Sequence, residues 1–144
     1  MARTVGNGRR QRRVRGKARP PSAPRLLVID DNPAFLRSLV RLLAVHGLDV
    51  AVARNGREGL AIFRRISPAV VLTDILMPVQ DGISTLMAMR RERPGVKIIA
   101  MSGGGLKSDF LTVAKKVGAD STVEKPFDVG ELAALIRRYL ASGG

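Results

Sequence analysis

From Arg25 onward the apolar residues switch repeatedly between two spacings, and the switches divide the chain into alternating strand and helix segments. Leu26-Leu-Val-Ile29 is a continuous apolar run ending in Asp30-Asp31-Asn32-Pro33. Such a run suits a strand covered on both faces, as in a parallel sheet. Asn32 before Pro33 reads as a helix start, because the amide side chain caps free N–H groups and proline needs no amide partner there. Phe35, Leu36, Leu39, Val40 and Leu43 then recur at helical spacing, predicting a helix to about His46 with Gly47 as its stop.

The pattern repeats along the chain. Leu48 to Ala53 reads as a second strand, and Asn55 with Glu58 resembles a capping box for a helix to about Ile66, broken by Pro68. Ala69 to Leu72 packs on both faces and runs through Thr73 into Asp74, with Pro78 four residues later. Asp81-Gly82 opens a helix carrying Ile83, Leu86, Met87 and Met89, which stops at Pro94-Gly95. Met87 and Met89 read as packing or contact residues of that helix.

Lys97 to Met101 is the fourth strand and ends in Ser102-Gly-Gly-Gly105, a loop that brings backbone close to whatever lies above the strand. A helix with Leu106, Phe110, Leu111, Val113, Ala114 and Val117 ends at Gly118. A short polar strand, Ser121 to Glu124, leads into Lys125-Pro126, and Asp128 with Glu131 caps a last helix through Leu132, Leu135, Ile136, Tyr139 and Leu140. His46, at a helix end, reads as structural. Strict alternation predicts an α/β fold with a five-stranded parallel sheet, helices on both faces and right-handed crossovers. The second and fifth strands are the least uniformly apolar, as edges should be, which fits strand order 2-1-3-4-5.

If all strands run parallel, the strand-to-helix loops share one edge of the sheet. Asp30, Asp31, Asp74, Ser102 and Lys125 then gather there from four strands. Taken singly each has a plain reading: Asp74 as a turn residue, Asp31 or Asn32 as a cap, Ser102 in a glycine turn, Lys125 as a surface lysine. Together they define a site. Three close carboxylates repel, which raises a pKa or demands a cation, and Mg²⁺ with oxygen ligands answers that demand. A lysine and a hydroxyl beside it suit a phosphoryl group rather than a sugar, flavin or dinucleotide.

Length and composition set the bounds. At 144 residues with 45% hydrophobic content, the chain is the size of one domain. It has no cysteine, so disulfides and thiolate metal sites are excluded. No apolar run approaches the roughly 20 residues of a membrane helix, and the basic N-terminus lacks the apolar core of a secretory signal. The expectation is a cytoplasmic protein that makes no membrane contact. Of the net charge of +13, residues 1–25 contribute nine Arg or Lys and no acid, leaving sixteen basic against twelve acidic residues, or +4, for the remainder. Residues 1–24 therefore read as a disordered basic arm and 25–142 as the folded domain. The arm is a candidate for nucleic acid through counterion release, against the plainer readings of a solvated tail or an early start site. No aromatic residue is interleaved in it to stack on bases.

From Arg25 to about Ser142 the chain resembles the receiver domain of bacterial two-component response regulators. The matching pieces are Val28-Ile-Asp-Asp-Asn32, Leu72-Thr-Asp-Ile-Leu-Met-Pro78 with Asp81-Gly82, Ile99-Ala-Met-Ser102 and Val123-Glu-Lys-Pro-Phe127, in the family's order and spacing. The resemblance implies a flavodoxin-like (βα)5 three-layer sandwich. It implies that Asp74 takes a phosphoryl group from a phosphohistidine on a sensor histidine kinase or phosphotransfer protein. Asp31 and Asp74 would ligate Mg²⁺ directly, Asp30 largely through water, and the Leu76 carbonyl would complete the protein ligands. Ser102 and Lys125 would hold phosphoryl oxygens, and the Lys125-Pro126 bond would be cis. Such a domain catalyses only its own modification and is not an enzyme in the turnover sense.

The chain departs from the family at three positions. Thr122 stands where many members carry an aromatic residue that swings inward on phosphorylation, so signalling is expected by another route, such as the Gly103-Gly-Gly105 loop. Leu76 and Gly104 offer no side chain to orient an attacking water, which predicts a long-lived phosphoaspartate. Because the chain stops at Ala141-Ser-Gly-Gly144, just past the last helix, the expectation is a stand-alone receiver whose output is a protein contact or onward relay. A haloacid-dehalogenase-type phosphatase would want a second aspartate where Leu76 stands. A dinucleotide binder would want glycines where Asp30 and Asp31 stand.

Overall fold

The computed structural model describes residues 23–76, 82–103 and 108–142. Five strands alternate with five helices: β1 (Leu26–Ile29), α1 (Pro33–Val45), β2 (Val50–Ala53), α2 (Gly56–Ile66), β3 (Val70–Asp74), α3 (Gly82–Glu92), β4 (Lys97–Gly103), α4 (Ser108–Val117), β5 (Ser121–Lys125) and α5 (Val129–Ser142). All neighbouring strands are parallel, in the order β2-β1-β3-β4-β5. The flavodoxin-like receiver fold and its strand order are thus as expected. Residues 1–22 of the basic arm, Pro78, Asp81, Gly104, Gly105 and Leu106 lie outside the described residues.

The uninterrupted apolar runs of β1 and β3 have a direct cause, since both strands are buried along their whole length. Alternate residues feed two cores. Leu27, Ile29, Val71, Ile98 and Ala100 meet Leu60 and Phe63 of α2, Leu86 and Met89 of α3, and Leu111 and Ala114 of α4. Leu26, Val28, Val70, Leu72, Ile99 and Met101 meet Leu36, Leu39 and Leu43 of α1 and Leu132, Ala133 and Ile136 of α5. The edge strands β2 and β5 are only partly buried, which explains their more polar sequences. Met89 is fully buried, whereas Met87 is exposed.

The helix caps follow the sequence. Asn32 Oδ1 accepts from Phe35 N, Asn55 Oδ1 from Glu58 N, and Asp128 Oδ1 from Glu131 N. Glu58 reaches back one residue further than a capping box requires, taking the Arg54 amide at 2.6 Å. At the C-terminus of α1 the Gly47 amide bonds to Ala44 O and the Leu48 amide to Leu43 O, with Gly47 at φ +78°. This is the paired hydrogen-bond closure of a Schellman motif, with Leu48 and Leu43 in one core. Because the closure uses the Leu48 amide, β2 begins at Val50 rather than at Leu48. His46 caps this helix, and its carbonyl accepts from Arg137.

Two other boundaries move toward the functional edge. β4 runs to Gly103 and β5 to Lys125, because Ser102 pairs opposite Glu124 and Gly103 opposite Lys125. At the far edge, Arg90 donates to Gly118 O, Pro94 O, Val96 O and Asp120 Oδ2, the last at 2.7 Å. The same Asp120 oxygen accepts from Ile98 N, so one ion pair ties the end of α3 to the start of β4 and the turn into β5. No helix among the described residues is long and apolar enough to cross a membrane.

Candidate functional site

The site forms where β1, β3 and β5 end. β1 hands over to Asp30, whose amide is held by Ala53 O at 3.0 Å and whose side chain is fully buried. Its Oδ1 accepts from the Asn32 amide at 2.9 Å, so the residue that caps α1 also orients the first carboxylate. Asp31, next along, is exposed. Asp74 is the last residue of β3 and level with Met101 of β4; it is 8% exposed, and its Oδ1 accepts from the Leu76 amide at 3.1 Å.

Lys125, the last residue of β5, crosses to both buried acids. Its Nζ lies 2.5 Å from Asp30 Oδ2 and 3.5 Å from Asp74 Oδ2. The Lys125-Pro126 bond is cis, as the resemblance implied. Ser102 is also buried, in the ladder one residue beyond the level of Asp74, and its Oγ has no hydrogen-bond partner among the described residues. The structure therefore joins Asp30, Asp31, Asp74 and Lys125 in one cluster, with Ser102 on the neighbouring strand offering an unsatisfied hydroxyl. A buried hydroxyl without a partner is costly unless something else bonds to it, and a phosphoryl oxygen is such a group.

Electrostatics single out Asp74. Burial pushes its carboxyl up from the ordinary value, the Leu76 N–H and the Lys125 ammonium oppose that shift, and the charge of Asp30 adds to it. Carboxylate oxygens of Asp30, Asp31 and Asp74 lie within 4.8 Å of one another. One ammonium cannot balance three carboxylates, and the donor atoms are all hard oxygens. The set fits a hard divalent cation such as Mg²⁺, with the Leu76 carbonyl, two residues beyond Asp74, as a further oxygen donor.

Three contributors escape a reading of sequence. Gly82 at the start of α3 donates its amide to Ile75 O, and a Cβ there would lie 2.1 Å from Asp74 O and 2.3 Å from Ile75 Cα. Glycine is required because α3 closes directly onto the backbone that carries Asp74, whereas the Asp-Gly pair in the sequence reads as a helix start and a family match without revealing that approach. Phe35 places its ring centroid 4.2 Å from Lys125 Nζ. Its helical spacing marks it as packing and hides this contact. The backbone amides of Asn32 and Leu76 orient the two buried acids, and main-chain donors leave no signature in side-chain identity.

Thr122 is exposed on β5 and lines an open groove of about 620 Å³ with Leu111, Thr112, Lys115, Lys116 and Glu124. No aromatic side chain occupies that part of β5.

Comparison with known proteins agrees with this geometry. The model of the response regulator receiver domain matches residues 26–137. The probable transcriptional regulator ycf27 of Porphyra purpurea is 39% identical over 116 residues, covering 81% of this chain and 47% of the relative. The transcriptional regulatory protein PrrA of Mycobacterium tuberculosis is 35% identical over 123 residues, covering 85% and 52%. The chain thus spans about half the length of these curated relatives. Among solved structures, a response regulator receiver domain protein from Clostridium thermocellum matches with TM-score 0.77 and 31% identity over 83% of this chain and 96% of that one. A CheY-like receiver domain protein from Methanospirillum hungatei matches with TM-score 0.74 and 30% identity over 85% and 97%. With its strand order, its acidic cluster and its lysine at the end of β5, the chain belongs to the response regulator receiver domain family of two-component signalling.

Proposed function

We propose that Asp74 accepts a phosphoryl group from the phosphohistidine of a sensor histidine kinase or a histidine phosphotransfer protein, and that the modified domain signals by protein contact or by onward relay. The observation that carries this reading is Lys125 standing between two buried carboxylates, 2.5 Å from Asp30 and 3.5 Å from Asp74. A structural ion pair needs one acid. The second acid, weakly held at the strand end, is free to act as a nucleophile.

In the transfer, Asp74 Oδ2 attacks phosphorus, the P–N bond to the donor imidazole breaks, and the electron pair leaves with the imidazole nitrogen. Lys125 turns from Asp30 toward a phosphoryl oxygen, and Ser102 Oγ donates to another, which satisfies its hydroxyl. Asp30, Asp31, Asp74 and the Leu76 carbonyl would hold Mg²⁺. When bound, the cation neutralises charge on the transferring group. The chain modifies itself and slowly loses the group to water, without turning over a separate substrate. A cytoplasmic location follows from the proposed donor. The basic arm, with eight Arg or Lys in residues 1–24, has the charge for an auxiliary contact with nucleic acid by counterion release, though it carries no aromatic residue to stack on bases.

The test is transfer from a panel of radiolabelled, autophosphorylated histidine kinases. One kinase should label the chain far faster than the rest, with a label that alkali and hydroxylamine remove as they remove an acyl phosphate. A label that survives both treatments would contradict modification at an aspartate.

A further inference from the structure

We propose that Phe35 is a positioning residue for Lys125, its ring face holding the ammonium at the place from which it meets a phosphoryl group on Asp74. The inference rests on the reading of Asp74 as phosphoacceptor.

Lysine carries its charge on a four-carbon stem with much rotamer freedom, so a useful position over Asp74 needs more than one restraint. Asp30 supplies one at 2.5 Å, and Asp74 itself is only a loose partner at 3.5 Å. The Phe35 ring supplies the third, with its centroid 4.2 Å from Nζ, well inside the range of a cation–π contact. The ring is itself braced. Its residue sits in the first turn of α1 with its amide bonded to the Asn32 cap, and it meets Phe127 edge to face at 6.1 Å and 84°. Phe127 lies two residues beyond Lys125, so the aromatic pair links α1 to the segment that carries the lysine. Leu36, Leu39 and Leu43 carry the buried face of α1, while Phe35 is half-buried and packs at the margin of that core, where leucine can replace its apolar contact but not its ring face.

The experiment compares wild type, Phe35→Leu and Phe35→Tyr, each also in a Lys125→Met background, with acetyl phosphate and Mg²⁺ as the donor system. The rate of Asp74 phosphorylation should fall about fivefold in Phe35→Leu, the size of one cation–π contact, and return in Phe35→Tyr. Melting temperatures should stay close to wild type. In the Lys125→Met background the leucine variant should cost nothing further, which a purely structural role would not produce. An unchanged rate in Phe35→Leu, or the same fold-loss with and without Lys125, would overturn the proposal. Proton NMR separates this failure from failure of the functional reading. In unphosphorylated wild type the Lys125 ε-methylene protons should be shifted upfield by the ring and lose that shift in Phe35→Leu. An unshifted methylene in a protein that does gain a phosphoryl group sinks Phe35 alone, whereas a wild type that gains none sinks the function and this inference with it.

Discussion

Lys125 Nζ lies 2.5 Å from Asp30 Oδ2, and the two form an ion pair whose acid side is 1% exposed and whose basic side is 22% exposed. Removing the ammonium strands a buried carboxylate with the Asn32 amide as its remaining hydrogen-bond donor. Lys125→Met should therefore lose about 2 kcal/mol of stability in EDTA, less than a fully buried pair would lose because the lysine touches solvent. Urea unfolding measures the loss, and millimolar Mg²⁺ should restore much of it. The same variant should be phosphorylated roughly a hundredfold more slowly, since a preorganised charge at the transferring group is gone. Equal stability with and without the lysine would show that the pair contributes nothing.

Asp74 makes the stability of the fold depend on pH. Burial raises its pKa in the folded chain, so folding favours the neutral acid. A group shifted this way contributes stability that is fully present below its unfolded pKa, about 4, and is lost as pH rises through the folded value. Asp74→Asn removes the charge and the loss together. In EDTA the variant should melt a few degrees above wild type at neutral pH, with the gap closing as the pH falls through the raised folded value and gone by about 4. Thermal melts across that range check it, and a variant less stable than wild type at neutral pH would refute the sign.

Gly82 answers to sterics. A methyl group there would sit 2.1 Å from Asp74 O, and the obstacle is backbone that cannot swing aside. Gly82→Ala should destabilise the fold by about 2–3 kcal/mol and slow phosphorylation by displacing the β3 end. Gly95, which has open space around it, is the control: Gly95→Ala should change neither. Matching effects at the two positions would argue against the close approach.

The lifetime of the modified state turns on Leu76. Its amide serves Asp74 Oδ1, while its side chain packs against the core beneath α2–α4 and cannot orient a water. Phosphoaspartate decay, followed by intact mass after donor removal, should extend well beyond the seconds scale. A polar side chain at this position, as in Leu76→Asn, should shorten it. Wild-type decay within seconds would contradict the account.

Much of the fold and of the site is legible in the sequence. The parallel sheet followed from the strict alternation of strands and helices, and its order fitted β1 and β3 being apolar on both faces while β2 and β5 were not, since burial is what those patterns record. The edge where strands end followed from topology, which placed Asp30, Asp31, Asp74 and Lys125 together. Distances did not follow, because the reach of Lys125 to Asp30 rather than Asp74 depends on side-chain conformation. Phe35 was hidden by its helical spacing, which is the same for a core residue and for a ring beneath an ammonium. The late start of β2 depended on where the Leu48 amide bonds, a choice the apolar pattern of Leu48 to Ala53 does not encode.

The most direct test of the central claim is the intact mass of the chain after incubation with acetyl phosphate and Mg²⁺. Wild type should gain one phosphoryl group, lose it on alkali treatment, and fail to gain it in EDTA, while Asp74→Asn should gain none under any condition. A wild type that stays unmodified, or an Asp74→Asn variant modified to the same extent, would contradict the assignment of Asp74 as the acceptor.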